Sequence, residues 1–158
     1  MNQTQKEFME IAIGLSQSGM DQGKGGPFGC IIVKNGQIIG KGSNSVLSTN
    51  DPTAHAEIVA IREACNSLGN FQLEGCEIYT SCEPCPMCLG AIYWARPSRV
   101  FYANTKSDAA EAGFDDQFIY DELNLPYSDR KIPFDQILQD EAKKVFENWI
   151  LKENKSVY

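Results

Sequence analysis

The chain has 158 residues, 42% of them apolar, so it is long enough for one domain with a real core and too short for two ordinary domains. Its net charge of −7 argues against a nucleic-acid partner, because proteins that bind phosphate backbones usually present a basic face. No apolar run approaches the length of a membrane span and the first residues lack the pattern of a secretory signal, so we expect a cytoplasmic protein with no membrane partner.

The first predicted element is a helix. Thr4 and Glu7 have the spacing of a capping box, apolar residues then recur at helical intervals, and Gly19 is the expected end. Two strands follow. They are joined by Asn35-Gly36, a pair that supplies both positive φ angles of a tight hairpin turn.

The second predicted helix takes Asp51 as its N-cap and Pro52 as its first residue, with Gly69 just past its end. A strand, "CEIYTS", comes next, then a helix with Pro86 in its first turn, then a strand, "SRVFYA". This alternation predicts a single α/β domain over residues 1–158, with a central sheet covered on both faces.

The pattern weakens after the last of these strands. Short helices are predicted around Ala109 and Phe118, and a final amphipathic helix is predicted over residues 139–152.

Three of the six cysteines stand three residues apart in "TSCEPCPMC". Cys85 and Cys88 span one helical turn, so both sulfurs can point at one ion, and a helix N-terminus favours the thiolates that zinc requires. Cys82 ends a strand, and Pro84 keeps the following residue extended, so Cys82 need not reach the same point. A closed Cys₃His structural site and a redox-active Cys-x-x-Cys pair are the alternatives.

His55 is the one histidine of the chain, and Glu57 follows it at a helix start. Two residues correspond to about 200° around a helix, so both side chains can approach one metal only near the open end. We infer one zinc held between two helix N-termini by His55, Cys85 and Cys88. This ligand set leaves a fourth position for water, and Glu57 beside it is a candidate general base.

The combination of H-x-E with P-C-x-x-C is typical of zinc-dependent nucleobase deaminases. The stretches "TAHAE" and "EPCPMCLGAIYWA" resemble the cytidine deaminase superfamily. Within it, "GGPFGCIIVKNG", "NDPTAHAEIVAIR" and "DAAEAGFDDQFIY" look like the short bacterial guanine deaminases. The resemblance implies a three-layer α/β/α sandwich with a central mixed sheet of about five strands, and one zinc per chain. It also implies hydrolysis of guanine to xanthine and ammonia, with Glu57 moving protons.

The same resemblance implies residues that bind the base. Asn44 matches an asparagine that grips the ring, and its alternative role is that of a turn residue. Asp116 matches an acidic residue that reads the purine N–H edge; neighbouring Asp115 is the alternative, and so is a solvated acid at a helix start. Phe28 and Trp94 are candidate pocket walls, although aromatic residues at such places often belong to the core.

Two further expectations concern segments that lie next to the pocket. The resemblance implies a homodimer in which an exchanged C-terminal segment places Tyr158 of one protomer over the pocket of the other, the alternative being a frayed tail. The glycines of "GKGGPFG" lack the spacing of a phosphate-binding loop, and we interpret them as a turn that brings backbone close to the pocket.

Three other functions compete with deamination of guanine. A tRNA adenosine deaminase would need basic residues around the pocket mouth, whereas the final segment of this chain mixes both signs of charge. A deaminase of another free base, such as cytosine, has the same zinc motif. A zinc-stabilised binding module would have no use for Glu57 beside the metal.

Overall fold

Four strands form one mixed sheet: β1 (Gly29–Lys34), β2 (Gln37–Ser43), β3 (Cys76–Cys82) and β4 (Arg99–Asn104). Their order is β2-β1-β3-β4, with β1 antiparallel to both of its neighbours and β3 parallel to β4. The structure, a computed structural model, describes residues 2–157.

Seven α-helices are found in the described chain: α1 (Gln3–Asp21), α2 (Val46–Thr49), α3 (Ala56–Leu68), α4 (Pro86–Ala95), α5 (Lys106–Glu111), α6 (Gln117–Leu123) and α7 (Gln139–Leu151). The predicted short helices and the predicted final helix are confirmed as α5, α6 and α7. Among residues 2–157, no helix is long and apolar enough to cross a membrane.

The expected count of about five strands is wrong for the described residues, which contain four in this sheet. The reason lies directly after β4. Thr105 and Asp108 form a capping box, in which each side chain accepts from the other residue's backbone N–H, so the chain turns into α5. From there to residue 157 it forms helices, one 3₁₀ turn and irregular segments.

The three-layer arrangement is confirmed. On one face of the sheet, α1 packs through Ala12 against Ile31, Val33 and Tyr79. On the other face, α3 and α4 pack on a second core. Its fully or nearly fully buried members are Cys30, Ile32, Ala56, Ala60, Ala64, Leu73, Cys76, Ile78, Ile92 and Ala95.

Both predicted boundaries of α1 are wrong. The capping box is formed by Asn2 and Gln5, whose side chains each accept from the other's backbone N–H, so Asn2 and not Thr4 is the N-cap and the helix begins at Gln3. The helix also runs past Gly19 to Asp21. Gly19 is instead a packing residue, since a Cβ there would lie 2.7 Å from the Cβ of Ser43.

The hairpin turn is confirmed, with positive φ at Asn35 (51°) and Gly36 (76°). The predicted start of α3 is wrong. Asp51 caps a local turn instead, its Oδ1 accepting from the Thr53 backbone N–H (2.8 Å) and hydroxyl (2.7 Å). Helix α3 therefore begins at Ala56, while Gly69 ends it as predicted, with a φ of 59°.

Strand β2 lies directly against the backbone of α3. A Cβ on Gly42 would approach the Ala56 carbonyl oxygen to 2.1 Å, and one on Gly40 would approach the Ala60 carbonyl oxygen to 2.5 Å. Since no real side chain tolerates such contacts, these two glycines allow the first turns of α3 to lie on the sheet.

The chain divides into two compact units, one ending at Asp116 and the other beginning at Gln117. The sheet, α1 to α5 and the site described below belong to the first unit. The second contains α6, a 3₁₀ turn (Tyr127–Asp129) and α7. Apolar side chains of α7 are strongly exposed: Val145, Phe146, Ile150 and Leu151.

Candidate metal centre and active site

A cavity of about 220 Å³ opens at one end of the sheet. The ends of β2, β3 and β4 and the start of β1 meet there, because β1 runs antiparallel to β2 and β3 while β4 runs parallel to β3. Segments that follow or precede these strands line the cavity. Its lining residues are Phe28, Asn44, His55, Glu57, Cys82, Glu83, Cys85, Lys106, Ala109, Phe114 and Asp116.

His55, Cys85 and Cys88 form a group that could hold a metal, with their ligand atoms all within 4.8 Å of one another. The Nδ1 atom of His55 lies 3.6 Å from each of the two sulfurs. His55 and Cys85 are the N-cap residues of α3 and α4, with extended backbone. The structure therefore places this group between two helix N-termini, the position inferred for it from the sequence.

The chemistry of these donors fits zinc. One imidazole and two sulfurs are ligands that zinc prefers, and three protein ligands leave a coordination position for water or substrate. Cys88 and His55 are hydrogen-bonded to the Cys85 sulfur, and these contacts lower the pKa of Cys85 to about 4 against the cost of burial. A sulfur that ionises so readily is prepared to bind a cation.

Cys82 lines the cavity but does not belong to the His55–Cys85–Cys88 group. Its Sγ donates a weak hydrogen bond to the carbonyl oxygen of Thr105 at 3.6 Å. Burial, and next the charge of Glu57, raise the pKa of Cys82 to about 11. That Cys82 stays out of the metal site remains a prediction, consistent with its absence from this group.

Replacing Cys82 by serine is expected to leave about one zinc per chain, because serine keeps a donor for the Thr105 carbonyl oxygen and removes no ligand. Metal analysis of the purified variant measures this. A folded Cys82→Ser protein without zinc would show instead that three cysteines bind the metal.

Glu57 lies in the first turn of α3 and is only 6% exposed. Its Oε1 accepts from the Thr80 hydroxyl at 3.2 Å, and its Oε2 is 3.4 Å from the Cys88 sulfur. Burial raises the pKa of its carboxyl above the ordinary value. A carboxyl beside a metal site with a raised pKa can take up a proton and release it again.

Asn44 lies at the end of β2 and is 6% exposed. Its Oδ1 accepts from the Val46 backbone N–H at 3.3 Å. Gly25 makes room for this amide, since a Cβ there would lie 2.0 Å from the Asn44 Oδ1. The "GKGGPFG" turn therefore does bring backbone to the edge of the cavity.

Two aromatic rings form one wall. Phe28 packs edge-to-face against Phe114, with ring centroids 5.0 Å apart and an interplanar angle of 86°. Both rings line the cavity, and Gly26 lies against them: a Cβ there would be 2.9 Å from the ring of Phe114.

Asp116 also lines the cavity, whereas Asp115 is exposed and is not among the lining residues. Burial, and next the charge of Cys85, raise the pKa of Asp116. Trp94 is 65% exposed on α4, and the structure does not bring it to this cavity. Tyr158 lies outside the described residues.

Four lining residues were not predicted from the sequence: Glu83, Lys106, Ala109 and Phe114. Glu83 could have been found, because it stands between Cys82 and the candidate ligand Cys85. Its Oε2 accepts from the Lys106 backbone N–H at 3.0 Å and so ties the β3–α4 loop to the start of α5. Phe114 gave no signal, since its partner Phe28 is far away in the sequence.

The comparisons with known proteins agree with this geometry. The family described as the cytidine and deoxycytidylate deaminase zinc-binding region matches residues 2–104. A guanine deaminase from Bacillus subtilis (strain 168) is 56% identical over 151 residues, which are 96% of this chain and 97% of the relative. A tRNA-specific adenosine deaminase from Aquifex aeolicus (strain VF5) is 45% identical over 96 residues, 61% of this chain and 63% of that protein.

The crystal structure of guanine deaminase from Bacillus subtilis is similar to this fold over the whole chain. The TM-score is 0.95 at 55% identity, and the match covers 100% of this chain and 99% of the other. With the family match over residues 2–104 and a relative of this identity along almost its full length, this chain belongs to the zinc-binding cytidine and deoxycytidylate deaminase family.

Proposed function

We propose that this protein catalyses the zinc-dependent hydrolysis of guanine to xanthine and ammonia. The observation that carries the proposal is the buried Glu57 carboxylate beside the His55–Cys85–Cys88 group, at a cavity with an amide and a second carboxylate in its walls. The substrate is chosen from the similarity to the Bacillus subtilis guanine deaminase, which extends over 96% of the chain and not only over the zinc-binding region.

His55, Cys85 and Cys88 would hold one zinc through Nδ1 and two sulfurs. Zinc, when bound, supplies Lewis acidity that brings the pKa of a water ligand towards neutrality. Because the three ligands come from the starts of α3 and α4, the two helix N-termini also direct positive partial charge towards the site.

Glu57 carries the protons in this proposal. Its carboxylate takes one proton from the attacking water and delivers it to the ring nitrogen next to C2. It later takes the second proton from the oxygen added at C2 and gives it to the departing amine. Water adds its oxygen at C2, the C2–N bond breaks, and ammonia leaves, so guanine and water give xanthine and ammonia. A raised pKa helps the uptake of the proton from water, because the carboxylate is then a stronger base than an exposed one.

The walls of the cavity would select the base. The Asn44 Oδ1 already accepts from the Val46 backbone, so its Nδ2 is the atom proposed to donate to the purine. Asp116 is proposed to accept from the N–H groups of the purine edge, and Phe28 to pack on the ring. Trp94 is not part of this proposal because it is exposed away from the cavity.

Guanine is expected to be converted to xanthine, with much slower turnover of adenine and cytosine. The N–H groups along one edge of guanine can donate to the Asp116 carboxylate. A base that lacks these donors leaves Asp116 unpaired, which costs several orders of magnitude in kcat/KM. Ammonia release from each free base, with xanthine identified by chromatography, measures this ranking. Inosine formation in a tRNA anticodon stem-loop with guanine inert would favour the rival function, and release from no substrate would favour a zinc-stabilised binding module.

The protein is further proposed to work as a cytoplasmic homodimer without a nucleic-acid partner, with both units of the chain acting as one deaminase domain. The support for a dimer is the exposed apolar side of α7, which includes Phe146 at 72% and Ile150 at 67% exposure. The net charge of −7 supports the absence of a nucleic-acid partner.

Deleting Val157 and Tyr158 is expected to keep zinc and dimer but to raise KM or lower kcat for guanine. In the proposed dimer, Tyr158 of one protomer closes the pocket of the other, and without it the pocket stays wet. Steady-state kinetics and the mass of the particle in solution test this. Unchanged kinetics would remove Tyr158 from the site, and a monomeric full-length protein would rule out the exchange.

A further inference from the structure

Thr80 stands out in the row of side chains that β3 turns towards α3 and α4. Side chains alternate along a strand, so Cys76, Ile78 and Thr80 share one face. The first two belong to the apolar core beneath the helices. Thr80 is equally inaccessible, at 1% exposure, yet it carries a hydroxyl.

The partner of this hydroxyl is Glu57, whose Oε1 it reaches at 3.2 Å. The other carboxylate oxygen, Oε2, has the Cys88 sulfur as its neighbour at 3.4 Å. A cysteine that binds zinc does so as a thiolate, which has no proton to donate. When zinc is bound, Cys88 therefore no longer donates to Glu57. Among the side-chain contacts of Glu57 in residues 2–157, the hydrogen bond from Thr80 remains.

We propose that Thr80 is a positioning residue for the proton transfers of Glu57, an inference that rests on the proposed function. Its hydroxyl holds Oε1 against β3, so the carboxylate keeps one orientation and presents Oε2 towards the metal ligands. Proton transfer depends steeply on such alignment, whereas binding of the base to the walls of the cavity does not. Thr80 is neither among the lining residues of the cavity nor a member of the His55–Cys85–Cys88 group.

The test is the pair Thr80→Val and Thr80→Ser. Valine has nearly the shape of threonine and suits both the strand and the apolar neighbours Ile78 and Cys30, but it donates no hydrogen bond. We expect Thr80→Val to lower kcat for guanine about 10- to 100-fold, with KM and one zinc per chain retained. Thr80→Ser restores the hydroxyl and should bring kcat to within a few fold of the original chain.

Ser81→Ala is the matched control. Ser81 is a buried hydroxyl on the same strand, but it faces the other way and accepts from the Gly29 backbone N–H at 2.9 Å. Its loss should lower the temperature of unfolding and leave kcat within about twofold. If Ser81→Ala lowers kcat as much as Thr80→Val, the effect is one of general stability and the proposal is wrong.

Three other outcomes would also overturn the role of Thr80: unchanged kcat in Thr80→Val, absence of rescue by Thr80→Ser, or loss of zinc in Thr80→Val. Should the valine variant fail to fold, Thr80→Ala serves as the second hydroxyl-free variant, with the same expectations. An unsubstituted chain that is inert towards guanine would refute the proposed function itself, which separates that failure from a failure of this inference.

Discussion

Glu57→Gln is expected to bind one zinc per chain and to lose guanine deamination by about 10⁴-fold or more. Glutamine keeps the size of the side chain and can still accept from the Thr80 hydroxyl. It cannot take up a proton, so the transfers to the ring nitrogen and to the leaving amine both fail, and each is worth roughly 10²- to 10⁴-fold. Metal analysis and kcat for xanthine formation, measured on the same preparation, test the two halves of this expectation.

Glu83→Gln is the matched control for Glu57→Gln, because Glu83 is a second glutamate in the lining of the cavity. Its Oε2 is already engaged by the Lys106 backbone N–H, and an amide oxygen can replace that acceptor. We expect kcat to change less than about tenfold. If Glu57→Gln lost zinc together with activity, Glu57 would be a metal ligand and the proton-transfer mechanism would be wrong.

Asp116→Asn is expected to lower kcat/KM for guanine by roughly 10²- to 10³-fold without loss of zinc. The carboxylate offers only acceptors to the purine N–H edge, whereas an asparagine amide turns one of its two positions into a donor that faces another donor. A polar group left unpaired in a partly buried site costs more than the hydrogen bond itself contributed. Kinetics with guanine, together with the zinc content, measure the effect.

Asp115→Asn makes the same change one residue earlier, on a side chain that is exposed and not part of the lining. Its kcat/KM should stay within about twofold of the original chain. The reverse result, with Asp115→Asn impaired and Asp116→Asn active, would assign recognition of the base to Asp115.

Structural features that depend only on a few neighbouring residues could be predicted from the sequence. The Asn35-Gly36 turn needs only its own two φ angles, and the start of α4 needs only Pro86 after the extended residue Cys85. The spacing of Cys85 and Cys88 on one helical turn likewise belongs to the local chain. That is why Cys85 and Cys88 could be proposed as metal ligands before any tertiary contact was known.

Features decided by competition or by distant contacts could not be predicted. Asp51 is a residue type that often caps helices, but its carboxylate accepts hydrogen bonds from the backbone and hydroxyl of Thr53 instead, and α3 begins later in the chain. The outward direction of Trp94 depends on which side of α4 faces the sheet, and that helix is apolar nearly all round, so its pattern does not choose. The expected fifth strand came from the family resemblance and not from a pattern in the residues, and in the structure the chain after β4 enters the helix that Thr105 caps.

The contact of β2 with α3 makes residue 42 sensitive to substitution. His55 and Glu57 lie at the start of α3, and Cys85 and Cys88 lie at the start of α4. The Gly42 backbone packs directly against Ala56 of α3. A single methyl group at this position would act as a wedge that lifts one half of the site away from the other. The geometry of the candidate site therefore depends on the absence of a side chain at residue 42 as well as on the four residues proposed to act there.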